Sequence, residues 1–323
     1  MSTGITIAHS KPDSSIKRLV IQRPLTSYFI IALLGTWLTI LPLLLSGDGL
    51  GVFSYRFGDT GILFALLGTF TGPLVGAFTV TSATSGKAGM RALYRRYLQW
   101  RVAARWFFIA LFGYFLIWLV GYSVWLKGAP LLALITNPSL VLSAYLAPLA
   151  LFMVMALGEE TGWRGFALPR LQQRYGPLYG TLLLAILHGL WHIPTLLVPG
   201  FISGGTLSLP FIVGWIATVI AATFLYTWIF NNTGGSLLIA ILVHAGSNAS
   251  SSLLSALVPE EPTVRGWQAV IYHSSWNLAN LIPFAAAAML ILIFTKGRLG
   301  YRPEQAPQLV AAPQSAEIAL VSV

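Results

Sequence analysis

The chain predicts an all-α fold, a polytopic membrane helix bundle of about eight transmembrane helices. Three observations carry that reading. Apolar residues make up 56 % of the 323 and charged residues only 9 %, with a mean hydropathy of +0.76, outside the range of a soluble domain. Apolar runs of bilayer-spanning length follow one another from about residue 27 to residue 295, each of roughly twenty residues as a spanning helix requires. Basic residues gather in alternate connections between those runs, the pattern that sets orientation in a membrane. The net charge of +10 therefore reads as membrane-flanking, and no nucleic-acid partner is expected. With no cysteine in the chain, disulfides, thiolate metal sites and cysteine nucleophiles are excluded.

A polar, basic segment, 1–26, carries Lys11, Lys17, Arg18 and Arg23 and is assigned to the cytoplasm. Spans then follow at about 27–46, 61–83, 106–125, 139–158, 179–199, 207–230, 236–257 and 277–295. A single membrane-embedded domain over 27–300 accounts for all of them. The tail, 301–323, is rich in Ala, Pro, Gln and Val and is expected to be flexible and cytoplasmic. The first span is as long as a bilayer is thick and no small-residue cleavage site follows it, so it should remain as an anchor. The second is rich in Gly and Thr, and the fifth carries Pro194, where it should kink or end. Residues 86–105, KAGMRALYRRYLQWRVAARW, space arginines among Leu, Tyr and Trp at helical intervals, which suits a helix lying on an anionic cytoplasmic surface.

Sixteen Lys and Arg fall in the N-terminal segment, the 84–105 and 159–178 connections and the residues after the last span; three, Arg56, Lys127 and Arg265, fall in the alternate set. That partition predicts an even number of spans in an integral membrane protein with both termini cytoplasmic.

The chemistry concentrates in three stretches. GEETGWRGFALPRLQ follows a run of about twenty uncharged residues. Carboxylates at the edge of hydrocarbon cost several kcal/mol unless paired, solvated or put to use. Glu160 and Arg164 are four apart and can pair on one helical face. Glu159 points about 100° away, which leaves it as the carboxylate free to act on water as a general base. A helix-end charge cluster at the interface is the competing reading of these three residues. In the fifth span, LLLAILHGLWHIP sets His188 and His192 four apart, a spacing that can bind metal, although no glutamate lies between them. The same histidines could instead bond across helices and pack. NNTGGSLLIAILVHAGSN, in the seventh span, puts His244 and Asn248 on one face, and both can donate hydrogen bonds to an oxyanion. His9 and His273 read as ordinary surface residues. No intramembrane lysine is available to activate Ser247, Ser250, Ser251 or Ser252 as a nucleophile.

EETGWRGFALPRL resembles the first motif, EExxxR, of the CPBP intramembrane proteases, which include the type II CAAX prenyl endopeptidases and the Abi-type bacterial proteins. HGLWHIP resembles the second, an aromatic residue followed four later by histidine, and HAGSN is similar to the third. All three lie in order within 159–248. The resemblance implies an eight-helix fold with a cavity open toward the cytoplasm. It implies that Glu159 and His192 activate a water for peptide hydrolysis, that His244 and Asn248 stabilise the oxyanion, and that Glu160 and Arg164 support them. The chain departs from the pattern at His188, which stands where that family usually has Phe or Trp. Packing is the duty expected of His188, and no metal is expected. The alternative is zinc held by His188, His192 and His244. The expected setting is the inner membrane of a bacterium, with the bilayer and a membrane peptide or lipidated protein as partners. A non-catalytic scaffold or bacteriocin self-immunity protein is the alternative function. Transport is disfavoured, because the charges cluster at one helix end and form no relay across the bilayer.

Overall fold

A computed structural model describes residues 15–198, 209–258 and 267–305, with backbone alone at 210, 267–277 and 305. Every regular element among them is helical. A short helix, α1 (Ser15–Gln22), leads into α2 (Pro24–Leu45), whose proline at the first helical position has no N–H to leave unpaired. A loop then reaches α3 (Ile62–Thr69), a π-helical turn (Phe70–Leu74) and α4 (Val75–Tyr97). Next come α5 (Ala104–Trp125), α6 (Ala129–Thr136), a second π segment (Val141–Leu146) and α7 (Ala147–Gly162). A third π turn (Trp163–Ala167) joins α7 to α8 (Leu168–Trp191), and the short α9 (Ile193–Leu196) follows. The bundle is completed by α10 (Leu209–Asn232), α11 (Leu237–Leu257) and α12 (Trp267–Phe294).

The outside of this bundle is apolar. Leu38, Val124, Leu132, Ile135 and Phe294 are each at least 63 % exposed, a distribution that suits lipid. Six helical runs among the described residues are long and apolar enough to cross a membrane. The protein is an all-α, polytopic integral membrane bundle. The exact count of eight rests on the sequence alone. Two of the eight predicted spans, 139–158 and 179–199, fall largely within one helical run, Val141–Trp191. The last corresponds in part to Leu278–Phe294, a shorter apolar stretch.

Three expectations gain detail. The charged connection 159–178 is itself helical and turns only at Gly176, whose φ of +76° suits a residue without a Cβ. Residues 86–105 are helical only to Tyr97, after a bend at Gly86, and α5 starts at Ala104. The fifth span breaks beside Pro194 as expected: α8 stops at Trp191, and α9, which carries the proline, follows. His9 and Arg265, the start of the sixth predicted span, and the tail beyond 305 lie outside the described residues, as does the side chain of His273.

At the centre is α11, with 67 % of its apolar window buried against 44 % or less for the other five runs. It packs on α5 and α7, and α10 packs on α8 and α12. Its start is set by Ser236, whose hydroxyl accepts the Ile239 N–H at 3.2 Å as an N-cap. On the other side, α2 is tied to the end of α8: Trp191 Nε1 donates to Thr36 Oγ1 at 2.7 Å, and Trp37 Nε1 donates to the Trp191 carbonyl at 3.1 Å. Both bonds fix the part of α8 that carries the two histidines.

Candidate active site

Glu159, Glu160 and Arg164 lie where α7 gives way to the third π turn, a feature that recurs at functional positions in helices. The turn has a local cause. Pro169 cannot donate to the Gly165 carbonyl four residues before it, and Arg96 supplies the missing donor. Its Nη1 reaches Gly165 O at 2.7 Å, its Nη2 reaches Arg164 O at 3.0 Å, and its Nε reaches Gly235 O at 2.9 Å. One guanidinium thus couples the turn that follows the carboxylates to the residues just before α11. Arg96, expected on a membrane-surface helix, faces inward instead. The backbone around the motif is tightly packed: a Cβ on Gly162 would sit 2.7 Å from Cβ of Pro73.

The two adjacent carboxylates diverge as the helical angle requires. Glu160, fully buried, accepts from Arg164 Nη1 at 2.9 Å and from His244 Nδ1 at 2.8 Å, both through Oε1. Arg164 is 1 % exposed, and its guanidinium lies over the Tyr226 ring at 4.5 Å. A pair this buried is not a solvated helix-end cluster. Arg164 is therefore not one of the charges facing a membrane surface, although it counts among the sixteen.

Glu159 turns toward α8. Its Oε2 lies 3.3 Å from His188 Nε2, and its Oε1 lies 3.9 Å from His244 Nε2. The first is a hydrogen bond; the second is a gap that one bridging water can fill. A carboxylate only accepts, so His188 donates through Nε2–H. Its Nδ1 is buried and has no hydrogen-bond partner among the described residues. His188 also packs against Trp163 at 5.0 Å and Trp191 at 5.9 Å between ring centroids. It both packs and bonds to Glu159.

His192 is half-buried at the end of α8, its ring 5.1 Å from His188 and 4.7 Å from Trp215. Asn248 is half-buried one turn beyond His244, and no hydrogen bond of its side chain is found among the described residues. Ligand atoms of Glu159, His188 and His192 all lie within 4.8 Å of one another. That set, rather than His188, His192 and His244, is the one with donors gathered for a metal; His244 turns its Nδ1 to Glu160 instead. Two imidazoles and a carboxylate can hold zinc with one position open.

Several buried atoms here have no hydrogen-bond partner among the described residues: Glu160 Oε2, Arg164 Nε and Nη2, Tyr28 Oη and Trp163 Nε1. Such groups can take up water or a polar substrate. The sequence patterns missed Arg96, Tyr226, Trp215 and the His188–Glu159 bond. Each is contributed by a partner distant in sequence, so no i,i+4 spacing signals it.

Residues 141–250 match the family described as type II CAAX prenyl endopeptidase Rce1-like. They run from the π segment before α7 into α11 and include all three motifs. A curated relative, CAAX prenyl protease 2 of Methanococcus maripaludis, is 28 % identical over 109 residues, 33 % of this chain. The match spans 40 % of that relative's length.

Proposed function

We propose that this chain, whose residues 141–250 match the Rce1-like type II CAAX prenyl endopeptidase family, is an intramembrane endopeptidase hydrolysing membrane-associated or lipidated peptides through a glutamate-activated water. The observation that carries this is Glu159 itself, buried in a membrane bundle, bonded to His188 at 3.3 Å, with His244 Nε2 standing off at 3.9 Å. Glu159, assisted by His192, takes a proton from water as the hydroxide oxygen attacks the scissile carbonyl carbon. The protonated Glu159 returns that proton to the departing amine as the C–N bond breaks. His244 and Asn248 stabilise the oxyanion. Glu160 holds His244 by Nδ1, so donation from Nε2 requires the doubly protonated ring, with a carboxylate facing each nitrogen. Arg164 and Glu160 fix this arrangement. The relative's name suggests prenylated substrates; the inner membrane of a bacterium, with both termini cytoplasmic, is the setting proposed.

Glu159→Gln tests the reading. A general base contributes roughly 10²–10⁴-fold, so peptide cleavage by the purified, reconstituted variant should fall by about that factor while the protein still inserts. Cleavage at the original rate would sink the assignment. A cellular role that persists in both Glu159→Gln and His192→Ala would favour the non-catalytic scaffold.

A second reading rests on the gathered donors of Glu159, His188 and His192, which suit a catalytic zinc. We favour the metal-free reaction, because Asn248 is a poor zinc ligand and His244, held by Glu160 through Nδ1, is kept for the oxyanion. His188→Phe should keep most activity, with zinc well below one per chain in the wild type. Stoichiometric zinc that disappears together with activity in His188→Phe would establish the metalloprotease.

A further inference from the structure

Beside the third π turn, α4 and α8 enclose a cavity of about 530 Å³ that the proposed hydrolysis does not use. Arg91, Arg95, Arg96 and Arg170 line it, together with Thr81 and Gln99, and its lining includes no carboxylate. Among the described residues none of the four arginines is in an ion pair with an acid. Arg96 is held by three carbonyls. Arg170 is fixed by the Phe166 carbonyl at 3.0 Å and by stacking over the Phe166 ring at 3.7 Å. These contacts orient two guanidiniums without neutralising them. Arg91 and Arg95 are one turn apart on α4, a spacing at which like charges repel.

We propose that this cavity binds one phosphate group. Four guanidiniums present more donors than a single carboxylate can accept, whereas a phosphate takes several charge-assisted, partly bidentate bonds at once. Large apolar side chains around it are exposed. Tyr94, Leu98 and Trp100, beside the lining arginines, are 51 %, 77 % and 60 % exposed, as side chains at headgroup depth are. An anionic phospholipid headgroup and free inorganic phosphate share the required chemistry.

The full chain in detergent, stripped of lipid, is titrated separately with phosphatidylglycerol and with inorganic phosphate, and bound ligand is counted by native mass spectrometry. Saturable binding of one equivalent is expected. Arg91→Gln/Arg95→Gln should weaken it by about thirtyfold, counting one favourable contact per basic residue near an anionic surface. Arg101→Gln/Arg105→Gln removes the same charge outside the cavity and should leave binding within about twofold, as surface substitutions away from a site do. Arg91→Lys/Arg95→Lys, which preserves charge, should recover part of the affinity and covers a glutamine variant that fails to accumulate. Saturation by phosphatidylglycerol alone identifies a lipid site; saturation by inorganic phosphate as well identifies a site for the free anion. Equal losses in the two glutamine double variants, or no saturable binding of either probe, would overturn the proposal. The result does not depend on peptide cleavage.

Discussion

Two arginine–carboxylate pairs occupy very different parts of the molecule. Arg164 and Glu160 meet at 2.9 Å with side chains 1 % and 0 % exposed, between helices α7, α10 and α11. Arg56 and Asp48 meet at 3.3 Å in the connection between α2 and α3, with Arg56 70 % exposed. The same two functional groups do different things in the two places. In the loop the arginine is incidental: Asp48 is held chiefly by the Phe57 N–H at 2.5 Å and the Gly58 N–H at 3.0 Å, and its role is to close a turn. In the bundle Glu160 also carries His244, so the pair positions a ring used in the proposed chemistry. Burial turns a local ion pair into part of a site, because neither partner can fall back on water.

Removing one partner of each pair should expose the difference. Arg164→Ala leaves Glu160 buried with only His244, and breaking a buried pair in this way costs about 3–5 kcal/mol. A large drop in the apparent melting temperature in detergent is expected, with loss of activity. Arg56→Ala should shift that temperature far less. An Arg164→Ala protein as stable and as active as the wild type would erase the contrast.

The smaller effect concerns pH. Hydrogen bonds from the backbone of Phe57 and Gly58, then Arg56, hold the Asp48 carboxyl below its ordinary value of 3.8. A lowered folded-state pKa gives stability that is present above 3.8 and lost as pH falls through the folded-state value. Asp48→Asn should therefore destabilise the protein at neutral pH, with the difference from wild type shrinking below about pH 4. Melting temperatures of the two proteins across that range check this. A difference constant with pH would mean that the amide replaces the carboxylate in shape but that charge contributes nothing.

The i,i+4 spacing of Glu160 and Arg164 was legible in the sequence, and so was the divergence of Glu159 from its neighbour, because both follow from the pitch of a helix. The all-α membrane class was legible too, since a chain with so many apolar runs of bilayer length has too little polar surface to face water. The course of the chain around the motif was not. The charges in 159–178 marked a connection between spans, yet Arg164 finds its acid one turn away and Arg96 satisfies the Gly165 carbonyl left open by Pro169. A segment that meets its polar needs inside protein can stay helical. His188 shows the same limit. From spacing alone it was a packing residue or a ligand beside His192. Only the approach of α8 to α7 sets its Nε2 against a glutamate 29 positions earlier. Periodicity fixes which face of a helix a residue occupies, whereas the neighbour on that face is chosen by how the helices pack.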